Sequence, residues 1–253
     1  MASISYKFSM NLEQLRFFLD KVHDLLSIDN EILIKIDKDN TLLYSIVGEK
    51  SNVNAFKSFI YKTNELFIFD EELPKEIRFI ITNASKFETT LKNYLDYKDE
   101  IRCEFFMNDD TYAYNLRLKN SNLKLSVNGG DIRGMNTTID ITKINETLNK
   151  DNIDFKFILD KNSYTKVKKI ASIDSENDIL TLNITDNCLT IGEGSWDLNI
   201  CDIEHEDLNI TFPKKYFKSI TFTEDEIYVY VFDTFILIDN KNTNLLIALE
   251  MSV

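Results

Sequence analysis

Seven lysines stand in two short stretches: Lys161, Lys166, Lys168 and Lys169 in KNSYTKVKKIA, and Lys214, Lys215 and Lys218 in PKKYFKSI. Neither stretch holds an acidic residue. Lysines without Arg, Asn and Gln at fixed spacing suit contact with phosphate, not the reading of base edges. Contact of that kind is sequence-neutral and salt-sensitive. Arg16, Lys21, Lys86 and Lys92 lie in two further helical stretches and extend the set. For those four, the ordinary preference of lysine and arginine for exposed helix accounts for the placement equally well.

Other reactive side chains do not assemble. His23 and His205 fall in different halves of the chain, His23 as a surface or boundary residue of a helix. His205 lies in Asp202-Ile-Glu-His-Glu-Asp207, which reads as a solvated acidic turn in preference to a divalent-ion site. Asp109-Asp110 and Glu71-Glu72 read as turn residues. Cys103, Cys188 and Cys201 are far apart with no CxxC pair, which fits a reducing compartment and no cysteine metal site. There is no GxGxxG, Walker A loop, HExxH, GxSxG or EF-hand loop. No nucleophile, base and oxyanion partner come together. The expectation is a binding or scaffolding protein, not an enzyme, with no catalytic residue, no cofactor and no metal.

The charge balance first speaks against nucleic acid: 29 basic against 42 acidic residues leave −13, and a polyanion should be repelled. The distribution reverses that. The four helical stretches carry 11 basic and 4 acidic residues, leaving 18 and 38 for everything else. Helices whose apolar faces are committed to sheets would turn one electropositive surface outward on an otherwise negative body. No apolar run approaches the roughly 18 residues that cross a membrane, and 43% apolar residues in 253 supply a sizeable core.

Those helices are set by periodicity. Asn11 caps Asn11–Leu26, where Leu12, Leu15, Phe18, Leu19, Val22, Leu25 and Leu26 form one apolar face. Ala84–Leu95, Lys161–Ala171 and a turn Pro213–Ile220, with proline at a first helical position, are the others. Strands are expected at 6–9, 32–36, 42–47, 53–59, 65–69, 77–81, 101–107, 112–118, 123–127, 139–141, 155–159, 179–184, 188–193, 197–200, 208–211, 226–232, 235–239 and 245–249. Half of the six glycines, Gly129, Gly130 and Gly134, mark a boundary near mid-chain, where unusual dihedrals are expected.

The order of elements repeats. KFSMNLEQLRFFLDKVHDLLSIDNEILIKIDKDNTLLYSI runs parallel to KFILDKNSYTKVKKIASIDSENDILTLNITDNCLTIGE, and IRFIITNASKFETTLKNYL to LNITFPKKYFKSI. The chain thus reads as four strand–helix–meander units. One unit alone would leave its sheet face bare, so units must pair over a core. The division expected is a first domain 1–128, a connector 129–142 and a second domain 143–253.

Four such units in two domains, acidic overall with basic helices, resemble the DNA polymerase sliding clamps of the PCNA and T4-type bacteriophage family. The repeat, the stretch FSMNLEQLRFFLDKVHDLL and the ending NLLIALEMSV carry the resemblance across the whole chain. It implies an α+β sliding-clamp fold with helices inside and sheets outside, and a homotrimeric ring formed head to tail around duplex DNA. The eleven basic residues named above would then face DNA. It implies a groove for a short hydrophobic peptide of a polymerase or clamp loader, formed by Leu43, Tyr44, Ile132, Met135, Leu246, Ala248 and Leu249. A subunit interface would involve Tyr112, Tyr114, Leu116 and Trp196, at exposed edge strands. The Asn- and Lys-rich style looks bacteriophage-like, placing the protein in the cytoplasm of an infected host, or in the nucleus if eukaryotic, and not in the secreted class. The alternative is a non-catalytic, β-rich viral structural or adaptor protein.

Overall fold

The computed structural model describes residues 4–49, 52–96, 99–108, 111–131, 153–173 and 177–249. The expected strand 139–141 and most of the expected connector lie outside these residues. The chain divides into one compact unit of 1–51 and 57–139, and a second of 52–56 and 140–253.

The first unit opens with β1 (Ser5–Met10), α1 (Leu12–Leu25), β2 (Ile32–Ile36), β3 (Asn40–Glu49) and β4 (Asn52–Lys62). A single turn α2 (Thr63–Leu66) and a two-residue β5 (Ile68–Phe69) follow. A second round runs β6 (Ile77–Ile81), α3 (Ala84–Lys92) with a 3-10 turn to Asp96, β7 (Ile101–Met107), β8 (Tyr112–Lys119) and β9 (Lys124–Asn128). The strand expected at 65–69 is therefore mostly a turn. Thr63 is buried; its hydroxyl donates to the Asp37 carbonyl at 2.8 Å, and its carbonyl accepts from Phe67 N at 2.8 Å, closing α2.

The two rounds exchange their first strands. β1 pairs antiparallel with β7 of the second round, and β6 pairs antiparallel with β2 of the first. Each half-sheet is thus one meander completed by the other round's leading strand, which is why neither could fold alone. α1 and α3 cover the shared core. Asn11 caps α1 with a full capping box with Gln14, and Phe18 meets Phe67 and Phe87 at ring separations of 5.6 and 6.2 Å. On the sheet side, Phe8 stacks on Phe105 at 5.0 Å, and the Tyr94 hydroxyl donates to the Leu118 carbonyl at 2.8 Å.

Gly129 departs from the dihedral expectation: its φ is not positive, and what it needs is space. A Cβ there would fall 2.7 Å from the Ala113 carbonyl oxygen and 3.0 Å from the Phe79 ring, where Gly129 N donates to the Tyr114 carbonyl at 2.8 Å.

The second unit repeats the exchange. Its elements are β10 (Phe155–Asp160), α4 (Lys161–Ile170), β11 (Ile179–Thr185), β12 (Cys188–Gly192), β13 (Asp197–Asp202), β14 (Leu208–Pro213), α5 (Lys214–Phe217), β15 (Glu226–Val231), β16 (Phe235–Asn240) and β17 (Thr243–Ala248). β10 pairs with β15, and β14 with β11. One sheet runs β13-β12-β11-β14; the other runs β10-β15-β16-β17, with β4 next in order through the residues grouped here. Pro213 is the N-cap of α5, not its first helical residue. Tyr164 of α4 packs on Phe217 of α5 at 5.6 Å and its hydroxyl donates to the Lys218 carbonyl at 2.9 Å.

Candidate nucleic-acid interface

α4 presents its cations as the sequence predicts. Tyr164 and Val167 are buried, while Lys161, Lys166, Lys168 and Lys169 are exposed. The helix starts at Asp160, whose carboxylate accepts from the backbone N–H groups of Asn162 and Ser163 at 2.9 and 3.0 Å. Hydrogen bonding from Ser163 holds that carboxyl below its ordinary value. Lys168 Nζ lies 5.7 Å from the Tyr164 ring centroid, a contact that orders the stem and leaves the ammonium solvated.

α5 corrects the expectation at two of its three lysines. Lys215 is exposed, its ammonium 4.6 Å from the Tyr216 ring centroid. Lys214 is only 4% exposed, because a single turn of helix sends one of two adjacent residues inward, and its Nζ lies 3.0 Å from Glu193 Oε1. Lys218 donates to the Ala171 carbonyl at 2.9 Å, capping the C-terminus of α4, where a cation is favoured. Burial, then the neighbouring Lys214, pushes the Lys218 ammonium below its ordinary value. These two lysines build the unit; they do not form a free charged surface.

In the first unit, Arg16 and Lys86 are exposed. Lys21 is half-buried, with its ammonium 4.9 and 5.3 Å from the Phe17 and Phe59 ring centroids. Lys92 is exposed but paired with Glu88 at 2.7 Å, one helical turn away, and Glu88 also meets His23 at 3.1 Å. The cations that α1 and α3 leave unneutralised are therefore fewer than on α4.

The expected groove residues scatter. Leu43 is fully buried in the first core and Tyr44 is 3% exposed, so neither offers a surface; alternation along β3 does not hold where both strand faces are covered. Ile132 and Met135 lie outside the described residues. Leu246 is 7% exposed. Ala248 and Leu249, however, line a cavity of about 410 Å³ in the second unit with Asn54, Pro213, Lys215 and Tyr216. Pro213 and Tyr216 were missed, although Pro213 was already visible as the start of a turn.

The interface residues also need correction. β8 is interior: it lies between β7 and β9, so Tyr112, Tyr114 and Leu116 are not on an edge. Leu116 is core at 4% exposure, and the Tyr112 hydroxyl accepts from Arg78 Nη1 at 3.0 Å. Tyr114 is 44% exposed on a face of the strand. Among the described residues β9 pairs with β8 alone and so is one open edge, beside a pocket of about 510 Å³ lined by Phe87, Leu125 and Val127. Trp196 immediately precedes β13, an end strand of its sheet, with its indole N–H buried and unbonded. His205 is held by the Glu206 carbonyl at 2.8 Å and packs on Phe155 at 4.8 Å.

No family model and no curated protein matches the sequence. Solved structures are similar across nearly its whole length. DNA polymerase III subunit beta from Borrelia burgdorferi superposes with TM-score 0.70 at 17% identity, over 97% of this chain and 65% of that one. Proliferating Cellular Nuclear Antigen from Entamoeba histolytica does so with TM-score 0.62 at 16% identity, over 99% and 100%. A. fulgidus PCNA bound to the C-terminal region of FEN-1 gives TM-score 0.62 at 12% identity, over 98% and 99%. The chain therefore spans 65% of the length of the bacterial subunit and all of the Entamoeba protein. Its fold is that of the DNA sliding clamps.

Proposed function

We propose that this chain is a DNA sliding clamp that joins copies of itself head to tail into a closed homotrimeric ring around duplex DNA. It has no catalytic part in replication. It holds a replicative polymerase at the primer end by making dissociation require ring opening, so the gain is effective concentration and not bond making. The observation that carries this reading is the exposed lysine set of α4, free of acidic neighbours on its helix, in a chain of net charge −13 with the clamp fold. Arg16, Lys86 and Lys215 extend it. Solvated lysines on flexible four-carbon stems track a phosphate backbone without stopping at a sequence.

The unpaired edges β9 and β13 are the places where copies would join. Antiparallel pairing there would satisfy exposed backbone groups that otherwise invite aggregation. The pocket by Phe87, Leu125 and Val127, which Thr82, Asn83, Lys86 and Thr90 also line, gives that joint a side-chain component. Residues 129–142 serve as the connector between domains 1–128 and 143–253.

The pocket of Pro213, Tyr216, Ala248 and Leu249 is the seat we assign to a short hydrophobic peptide of a polymerase or clamp loader; A. fulgidus PCNA takes a FEN-1 C-terminal region. A bacteriophage source, acting in the cytoplasm of an infected host, is the reading that the Asn- and Lys-rich sequence favours.

The test is retention on DNA of different topology. Protein loaded onto nicked circular plasmid should stay through gel filtration at a salt concentration that removes it from the same plasmid after linearisation. Equal loss from both forms would overturn encirclement.

A further inference from the structure

A row of like charges crosses one face of the first unit's sheet. Arg102 of β7 stands opposite Lys119 of β8, and Lys119 opposite Lys124 of β9. In the next row on the same face, Lys7 of β1 stands opposite Glu104, and Glu104 opposite Arg117. Phe8, Cys103 and Leu118, which alternate with these residues, belong to the buried core, so the charges face away from α1 and α3. Arg102, Lys119 and Lys124 are exposed and line a surface depression of about 660 Å³.

Neighbouring strands lie only about 4.8 Å apart, and like charges directly opposite one another destabilise the pairing. Carboxylates of Asp70, Glu100 and Glu104 line the same depression, but the cations are not paired with them. Among the described residues Arg102, Lys119 and Lys124 have no ion pair. The nearest carboxylate in the register, Glu104, accepts from the Ser5 hydroxyl at 2.8 Å instead, and Arg117 stacks over the Phe106 ring at 4.2 Å. A lysine on an edge strand guards against aggregation, which accounts for Lys124 alone; Arg102 and Lys119 stand on interior strands.

We infer that this sheet face is a docking site for an acidic peptide segment of a protein partner, its carboxylates held by Arg102, Lys119 and Lys124. Acidic residues one helical turn apart have Cβ atoms about 5–6 Å from each other, close to the spacing of adjacent strands. Asp70, Glu100 and Glu104 line the same depression. They would repel a uniform polyphosphate, whereas a peptide with a basic residue among its acidic ones satisfies both signs. The site is on the opposite face from the helices and does not rest on ring formation or DNA binding.

The experiment uses the full chain, a fluorescein-labelled peptide of glutamates with one lysine among them and a fluorescein-labelled single-stranded oligonucleotide of the same length, read by anisotropy. The triple variant Arg102→Gln, Lys119→Gln, Lys124→Gln should bind the peptide about tenfold or more weakly, with its oligonucleotide affinity unchanged. A charge-keeping variant, Arg102→Lys, Lys119→Arg, Lys124→Arg, should stay within about threefold of the parent, which separates loss of charge from loss of fold. Peptide affinity indifferent to the triple substitution overturns the proposal. So does a triple variant that loses the oligonucleotide but keeps the peptide, which would make the face a nucleic-acid site.

Discussion

Lys214 Nζ lies 3.0 Å from Glu193 Oε1 with both side chains out of solvent, 5% and 0% exposed. The contact is an ion pair by distance, yet neither Glu193 oxygen receives an aligned hydrogen bond, so opposite charge alone balances the buried carboxylate. Removing Lys214 would strand that charge, and breaking a buried pair from one side costs about 3–5 kcal/mol. Lys214→Ala should therefore lower the urea midpoint strongly, while Lys215→Ala, at an exposed position, should stay within about 0.5 kcal/mol of the parent. Equal effects of the two substitutions would contradict the burial of Lys214.

Asp160 connects pH to the helix that carries the free lysines. Hydrogen bonds from Ser163 and Asn162 place its folded pKa below its ordinary 3.8. The carboxylate form is thus favoured by folding: its contribution is complete above that value and is lost as pH falls through the lowered pKa. Asp160→Ala should cost about 1 kcal/mol at neutral pH. The difference between parent and variant in denaturant unfolding should shrink on acidification below pH 3.8. A difference that holds constant down to the acid transition would contradict the cap.

Lys161, Lys166, Lys168 and Lys169 changed together to Ala should weaken retention on duplex DNA without changing the assembly. Each lost phosphate contact should flatten the dependence of log affinity on log salt by about 0.9. A variant with unchanged slope would mean that α4 does not face the duplex.

Leu249→Asp should abolish binding of a hydrophobic clamp-binding peptide, measured by calorimetry, at little cost in stability, because Leu249 lies just beyond β17 at the cavity rim. Deleting everything after Thr243 is a poorer test. It removes β17, whose Leu245 and Ile247 are 2% and 0% exposed, and so should unfold the second unit. Undiminished peptide binding by Leu249→Asp would move the partner site elsewhere.

Local features of this chain were legible where one periodicity dominated. The apolar face of α1, its Asn11 cap, and the strands Ile32–Ile36, Ile77–Ile81 and Ile101–Met107 follow directly from spacing and side-chain type. Features that depend on distant partners were hidden. Nothing local reveals that β8 is interior, since its exposed Tyr114 gives it the look of an edge; the buried Asn115 amide, bonded to Ser126 and Asn128 of β9 at 2.9 Å, shows the opposite. The exchange of β1 and β6 between rounds is equally non-local. At the site, α4 was readable because every lysine on it is exposed. Lys214 and Lys218 were not, because a one-turn helix has too few residues to define a face.

Absolute mass by light scattering near physiological salt is the most direct test of a three-copy ring. A closed ring gives a concentration-independent mass of three times 29.6 kDa. Leu125→Asp, on the edge strand β9, should drop that mass to one copy while leaving the circular dichroism spectrum intact. A parent protein that stays monomeric or dimeric across the concentration range would contradict the preformed ring.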